Sequence, residues 1–225
     1  METAASESLT RSRNVVLSVA HDGDVATQFR RLVFDQYRER EWLDPSEYPD
    51  EIVVDKYDAW SDILVIQTGG EILAGMRIVR DGGTGFPHED EMGINEPTLK
   101  SCGSKMVMEK LLETPRHKMA EITKVVGKRK QRTLTFDILK CLYWYATRNE
   151  VGLYVMVIDL EFFLLCTGFG VPIHPIGTPV YCEGSWTIPA VTAASEWPEA
   201  IAQKKPSAWQ YIATEDNLDG SWMKH

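Results

Sequence analysis

A sparse set of charged and aromatic side chains could carry out chemistry together. In chain order the set is Arg30, Phe34, Trp42, Asp55, Asp58, Arg77, Glu121 and Lys124. Carboxylates can hold a cation or accept a proton, arginines bind carboxylates with two parallel hydrogen bonds, and aromatic faces attract cations. Each member also has a structural explanation, such as a turn cap for an aspartate or a core position for an aromatic ring.

The compact motifs of several enzyme classes are missing from the sequence. GxSxG, the phosphate-binding P-loop, HExxH and GxGxxG do not occur. The four cysteines are widely spaced and form no CxxC pair. That spacing predicts neither a zinc site nor a disulfide framework, and it favours a reduced, cytoplasmic setting. The five histidines are scattered, and we expect surface or loop positions for them rather than metal-ligand roles.

The composition is that of a folded globular chain. The 225 residues are 44% hydrophobic and 25% charged, which predicts a packed core rather than disorder. A formal net charge of −9 argues against nucleic acid as the partner. No apolar run is long enough for a membrane span, so we expect no membrane partner. Residues 1–13 are polar and predict a mobile tail without a secretory signal.

The charge is unevenly distributed along the chain. Residues 35–62 contain ten acidic and three basic residues, whereas residues 105–132 contain nine basic and three acidic residues. One interpretation is two solvated faces. The other is one region that receives a cationic ligand and a second region that receives an acidic or phosphorylated ligand. The basic stretch could also contact nucleic acid, an interpretation that the overall acidity disfavours.

The elements that must position these residues follow from hydrophobic periodicity and turn residues. A parallel strand pair is predicted at 119–158, because a strand, a long helix and a second strand follow one another there. The predicted elements are a strand at 15–20, a helix at 24–41, a hairpin of 63–66 and 72–80, a helix at 105–112, a strand at 119–126, a helix at 133–150, a strand at 153–158, a helix at 160–167 ended by Gly168, and strands at 171–176, 179–182 and 186–191. The pattern predicts a mixed α+β domain over 14–195, followed by a C-terminal extension over 196–225.

Taken together, the ordered set resembles the acyl-homoserine lactone synthases of the GNAT acyltransferase superfamily. The family pattern is an Arg and a Phe four residues apart, a Trp, a pair of Asp, a strand Arg after a small residue, and a strand with Glu-x-x-Arg. The likeness covers roughly residues 25–190. This sequence departs from the pattern in two places: Lys124 replaces the last Arg, and Trp42 follows Phe34 at a longer spacing.

The resemblance implies a GNAT-like mixed sheet in which the central parallel strands splay apart and helices flank the sheet. It also implies an N-acyltransferase that moves an acyl group from a thioester to the amine of S-adenosylmethionine, giving a lactone autoinducer for quorum sensing. No cofactor or metal is expected beyond these substrates. The implied catalytic residues are Glu121 as base, Asp55 and Asp58 on the cationic substrate, and Arg77 as their tie. Arg30, Phe34, Trp42 and Lys124 are the implied substrate-binding residues.

The donor side is predicted from charge as well as from the resemblance. Lys128, Arg129, Lys130 and Arg132 precede a helix N-terminus, a favourable place for the phosphate of a phosphopantetheine arm. The arm would belong to acyl carrier protein or acyl-CoA, and the absence of a second glycine pair favours the carrier protein. Two other functions stay open: an N-acyl amino acid synthase on the same fold, and a non-catalytic module that binds acyl carrier protein. Seven apolar residues are candidates for the acyl pocket and are equally typical of core: Met108, Leu111, Leu142, Trp144, Tyr145, Met156 and Phe162.

Overall fold

The computed structural model describes residues 15–83, 85–90, 105–128, 134–182 and 184–222. The predicted tail at 1–13 and three residues of the predicted donor site, Arg129, Lys130 and Arg132, lie outside these ranges. None of the helices in the described ranges is long and apolar enough to cross a membrane.

The strands and helices of the described chain follow one another much as the periodicity predicts. The strands are β1 (Val15–Ala20), β2 (Ser61–Thr68), β3 (Glu71–Arg80), β4 (Met119–Gly127), β5 (Leu153–Asp159), β6 (His174–Pro175), β7 (Val180–Cys182) and β8 (Ser185–Thr192). The α-helices are α1 (Gly23–Glu39), α2 (Pro87–Asp90), α3 (Lys105–Glu113), α4 (Leu134–Asn149), α5 (Leu160–Phe169), α6 (Trp197–Lys204) and α7 (Pro206–Ile212).

All eight strands belong to one mixed sheet in the order β1-β2-β3-β4-β5-β8-β6, with β7 beside β8. Only β4 and β5 pair in parallel among the described strands, which confirms the predicted crossover through α4. Their pairing runs from Met119 opposite Leu153 to Ile122 opposite Met156 and then stops. Because both strands continue beyond that point, they diverge, and the predicted splay is confirmed.

The two long helices cover opposite faces of the sheet. Phe29 and Val33 of α1 pack with Ile63 of β2, whereas Ile138 of α4 packs in the cluster that contains Leu64 of the same strand. Neighbouring residues of a strand point to opposite faces, so the helices must lie on different sides. The apolar spacing along both helices therefore buries one stripe against each face.

A bulge in β4 interrupts its pairing with β3 beside the splay. Gly75 lies opposite Val126, but Arg77 lies opposite Thr123, so β4 contains one extra residue there. Lys124 has a φ of 51°, an unusual value for a lysine. Such a bulge places two successive side chains on similar sides of a strand, because the pleat is broken locally. Thr123 and Lys124 can therefore both contact the same group of charges.

Gly75 of β3 lies where helix α1 packs on the sheet. A Cβ at this position would lie 2.8 Å from Cδ2 of Phe29 and 2.9 Å from the carbonyl oxygen of Leu64. Both distances are shorter than real contacts allow, so glycine lets α1 approach the sheet closely.

Two local predictions are corrected by the structure. The strand predicted at 171–176 is only two residues long, because His174 and Pro175 alone pair with β8. Helix α5 does not end at Gly168 but runs to Phe169, and Gly170 ends it with a φ of 96°. This value lies in the left-handed region that favours glycine after a helix.

The C-terminal segment docks back on the sheet. Trp197 and Trp222 are buried in the same apolar cluster as α4. The indole N–H of Trp222 donates to the carbonyl oxygen of Leu17 over 2.6 Å, and the N–H of Leu17 donates to the carbonyl oxygen of Asn217 over 2.8 Å. The segment thereby covers the edge strand β1, whose backbone groups would otherwise be unpaired.

Candidate active site

A cavity of about 890 Å³ opens where β4 and β5 separate. Its polar end is formed by charged residues from several segments, and its apolar end by α4, α5 and β5. Residues on the polar wall include Trp42, Asp55, Arg77, His88, Glu121 and Lys124. Residues on the apolar wall include Ile138, Leu139, Leu142, Met156, Phe162 and Leu165. The cavity is thus amphipathic along its length, and it runs through the gap between the strands.

Arg77 joins two aspartates at the polar end. Its Nη1 lies 2.6 Å from Oδ1 of Asp55 and 3.2 Å from Oδ2 of Asp58. Its Nε donates to the hydroxyl of Thr123 over 2.9 Å. Arg77 is only 2% exposed, so its charge must be balanced inside the protein. Arg77 therefore contacts both aspartates, and its role in a reaction stays a prediction.

The aspartates are presented by a tight turn before β2. The backbone N–H of Asp55 donates to Asp58 over 2.8 Å, and the N–H of Tyr57 donates to Asp55 over 2.9 Å. Short carboxylates favour such turns because they can replace a backbone acceptor. Asp55 and Asp58 therefore both cap the turn and take part in the charge network.

Lys124 adds a second cation to Asp55. Its Nζ lies 2.6 Å from Oδ2 of Asp55, on the side of the carboxylate opposite Arg77. Burial raises the pKa of Asp55, but hydrogen bonds and charge from Arg77 and Lys124 outweigh burial and hold the pKa below its ordinary value. Burial lowers the pKa of Lys124, and the nearby Arg77 lowers it further, while Asp55 opposes both effects. Asp55 is therefore ionised wherever the protein is folded at moderate pH.

Glu121 lies on the same wall but has partners of a different kind. Both of its carboxylate oxygens accept the backbone N–H of His88, each over 3.2 Å. Nδ1 of the His88 ring lies 2.7 Å from Oε2. Glu121 is 2% exposed and His88 is 4% exposed, so the pair is shielded from bulk water.

His88 is the site residue that sequence reasoning missed. The expectation of a surface or loop position was wrong, because α2 folds over β4 and buries the ring. Its partner Glu121 lies 33 residues further along the chain, so no local spacing could connect the two. The available signal was weak: Pro87 suits the first position of a helix, and Glu89 suits its first turn.

The three remaining members of the predicted substrate set occupy different places. Arg30 on α1 joins the network, since its Nε lies 3.0 Å from Oδ1 of Asp58. Trp42 lies on the cavity wall, where its ring packs edge-on against Tyr37 at 5.5 Å between centroids. Phe34 is 1% exposed within the α1 cluster and stands behind the wall rather than on it.

Lys128, the one residue of the predicted donor site that lies in the described ranges, has an acidic partner, and so has the nearby basic residue Arg116. Lys128 forms an ion pair with Glu71. Arg116 lies 2.6 Å from Glu89 and 3.6 Å from Asp81. These contacts indicate balanced surface charge at 116 and 128. Within the described ranges, no group of three His, Cys, Asp or Glu residues is arranged to hold a metal ion.

Sequence comparisons provide no family assignment: no protein-family model matches, and no curated protein matches. Solved structures do match. The CoA-dependent acyl-homoserine lactone synthase BjaI, with SAM and isopentyl-CoA, aligns over 91% of this chain and 92% of its own, with a TM-score of 0.68 and 17% identity. This chain has the fold of the acyl-homoserine lactone synthases. The synthase LasI aligns over 80% of this chain and 89% of its own, with a TM-score of 0.60 and 16% identity.

The same fold also serves a second kind of synthase. FeeM, an N-acyl amino acid synthase from uncultured soil microbes, aligns over 86% of this chain and 98% of its own, with a TM-score of 0.62 and 14% identity. The GNAT-like sheet predicted from the sequence is therefore confirmed. At such low identity the shared fold does not assign the substrates, which must be argued from the residues of the site.

Proposed function

We propose that this protein is an N-acyltransferase that transfers an acyl group from a thioester to the amine of S-adenosylmethionine and yields an acyl-homoserine lactone. The observation that carries the proposal is one cavity that passes through the β4–β5 gap and has a charged end and an apolar end. A thioester and an amine can meet only where both ends are within reach, and this gap supplies that place.

The charged end suits an amine that also carries a carboxylate. Arg77 and Lys124 on the cavity wall share Asp55, and Arg30 and Asp58 belong to the same network of charges. The N–H donors of Arg77 and Lys124 can also bind the carboxylate of a substrate. S-adenosylmethionine has such a carboxylate and also a sulfonium, which the Trp42 ring can attract through its face.

The gap itself suits the thioester. Beyond Ile122 and Met156, the facing edges of β4 and β5 no longer pair with each other. Backbone N–H groups on those edges can donate to the pantetheine amides and to the oxyanion that forms on the thioester carbonyl. The acyl chain would follow the apolar wall, where Leu142, Met156 and Phe162 of the predicted acyl-pocket residues lie.

We assign the removal of a proton from the amine to the β4 side of the cavity, where Glu121 lies. The attacking nitrogen must lose a proton before it can form the amide, so a base is needed beside the gap. The carboxylate of Glu121 lies on β4 in the last paired stretch before the splay, opposite Val155. In the lactone-forming reaction, the substrate carboxylate then attacks its own γ-carbon and expels methylthioadenosine, a step that positioning alone can promote.

The experiment is a mass-spectrometric assay of purified protein. Acyl carrier protein thioesters and acyl-CoA are offered in separate reactions, each with S-adenosylmethionine or with free amino acids. Lactone together with methylthioadenosine supports the proposal. The thioester that gives more product identifies the acyl donor. The basic residues at 128–132 favour a donor with a phosphorylated arm, which both acyl carrier protein and acyl-CoA have. We place this reaction in the cytoplasm, in keeping with the buried free thiols Cys141 and Cys166.

An N-acyl amino acid synthase is the second candidate, and Lys124 is the observation that favours it. A lysine at this place binds a carboxylate as a point charge and lacks the planar two-pronged geometry of the arginine expected from the family pattern. An open-chain N-acyl amino acid as the product would support this candidate. Thioester binding without any product would instead support a non-catalytic module that binds acyl carrier protein.

A further inference from the structure

His88 and Glu121 form a pair in which the carboxylate of Glu121 orients the imidazole of His88. Oε2 of Glu121 lies 2.7 Å from the ring Nδ1 of His88. Both carboxylate oxygens also accept a hydrogen bond from the backbone N–H of His88, each over 3.2 Å. A carboxylate can only accept, so the hydrogen between them belongs to Nδ1. With Nδ1 committed to Glu121, Nε2 is the ring nitrogen left to exchange a proton.

The segment that carries His88 is braced from outside. Phe86 stacks on the His88 ring with 5.8 Å between centroids and 22° between planes. The guanidinium of Arg116 lies over the Phe86 ring, 4.9 Å from its centroid. The same guanidinium donates to both carboxylate oxygens of Glu89 over 2.6 and 2.9 Å. The imidazole is thus held by stacking, by a carboxylate and by the helix that bears it.

We propose that the His88 imidazole, oriented by the Glu121 carboxylate, is the group that accepts the proton from the amine substrate in the acyl transfer. The proposal rests on the acyltransferase function proposed above and names the atom that holds the proton. With its hydrogen on Nδ1, the ring has a lone pair on Nε2 that can accept a proton from the amine. The Glu121 oxygens are, moreover, already occupied by donors from His88.

The proton balance of the transfer is complete with one imidazole. Nε2 takes one proton from the substrate ammonium and passes it to solvent. The freed lone pair attacks the thioester carbonyl carbon, a C–N bond forms, and the carbonyl π pair moves to oxygen. Nε2 then takes a second proton from the adduct nitrogen. As the oxygen pair returns, the C–S bond breaks, the sulfur leaves with the bonding pair, and His88 protonates it to the thiol.

The test distinguishes two roles of His88: donating hydrogen bonds to Glu121 and accepting the proton of the substrate. In His88→Asn, the side-chain amide N–H can replace Nδ1 as the donor to Glu121, and the backbone N–H is unchanged, but no basic nitrogen remains. We expect kcat to fall about 10²-fold or more, with KM for the amine little changed. In His88→Ala, added imidazole should restore part of the lost kcat, because a small free base can enter the space left by the ring.

The control is His174→Asn. His174 also lies against a glutamate, with its Nε2 3.3 Å from Oε2 of Glu196, but the pair is more exposed and His174 does not line the cavity. We expect unchanged turnover for this variant. A urea-unfolding midpoint of His88→Asn equal to that of the wild-type protein would show that the variant is folded.

Two outcomes would overturn the inference while the proposed function stands: a wild-type level of kcat in His88→Asn, or a loss in His88→Ala that imidazole does not relieve although the variant is folded. If the wild-type protein itself transfers no acyl group from any thioester to any amine, the proposed function fails instead. The wild-type reaction therefore distinguishes the two failures.

Discussion

Glu121 and Asp55 are both carboxylates on the wall of one cavity, yet they are stabilised by different kinds of partner. Asp55 lies between two cations, Arg77 and Lys124. Glu121 receives hydrogen bonds from a backbone N–H and an imidazole of a single residue, His88. Cations hold a carboxylate in its ionised form, whereas an imidazole can gain and lose a proton. This difference supports our proposal that the Asp55 side binds the substrate and the Glu121 side transfers the proton.

The largest effect is expected from removing the cation that both aspartates share. Arg77→Ala leaves Asp55 paired with Lys124 and Asp58 paired with Arg30, and breaking a buried ion pair costs up to about 3–5 kcal/mol. Urea unfolding should show a loss of that size together with loss of activity. Arg38→Ala is the control, because Arg38 pairs with Asp35 at the surface and should change stability by less than about 1 kcal/mol. Equal losses in the two variants would contradict the structural role of the network.

The next largest effect tests the proton-transfer side. Glu121→Gln keeps the shape of the side chain but cannot stabilise a protonated imidazole, so kcat should fall by about 10²–10⁴-fold. Steady-state kinetics with the productive thioester measures this loss. Glu109→Gln, at an exposed position of α3, is the matched control and should retain full activity. Undiminished turnover in Glu121→Gln would exclude this carboxylate from the reaction.

A smaller effect concerns the pH dependence of stability at Asp55. Its pKa is lower in the folded protein than its ordinary value, so folding favours the ionised form and the carboxylate adds stability above about pH 4. That contribution is lost as the pH falls toward the folded pKa. The difference in the free energy of unfolding between wild type and Asp55→Asn should therefore be largest near pH 7 and shrink below about pH 4.

Denaturant unfolding at several pH values measures this difference. Asp35→Asn, which removes a half-exposed carboxylate on α1, should show much less change with pH. A difference for Asp55→Asn that stays constant down to pH 3 would show that Arg77 and Lys124 do not stabilise its charge.

The smallest effect is expected at the bulge. Lys124→Arg keeps the charge but adds the planar fork that grips a carboxylate with two hydrogen bonds. In a competition between S-adenosylmethionine and amino acids, we expect the product ratio to shift toward lactone by about tenfold or less, the effect of one improved contact. A ratio that does not move would show that Lys124 does not select the amine.

Much of the scaffold followed from local patterns. The hairpin of β2 and β3 is marked by Gly69-Gly70 between two apolar runs, and α4 by its apolar stripe. Its place between two strands made the parallel pair predictable, because a crossover helix connects parallel strands. The ordered set of charged and aromatic residues pointed to the fold by resemblance, and the structural matches confirm that fold.

The details of the site were less accessible from sequence. The bulge that turns Lys124 toward Asp55 depends on register between strands, which no periodicity within β4 reveals. Phe34 fits the family spacing, yet the structure places it in the core, because helical spacing does not distinguish a cavity wall from the layer behind it. The contacts of the C-terminal tryptophans with α4 and β1 also depend on the complete sheet.

Elements with local signals could be predicted before the fold was known, because turn glycines, apolar periodicity and the order of residue types are properties of the chain. Which charges share partners became visible only in the folded protein. Arg77 serves both aspartates, and His88 leaves its predicted place at the surface to cover Glu121. Such pairings join residues far apart in the chain, and burial makes each charge depend on whichever partner the fold brings within hydrogen-bonding distance.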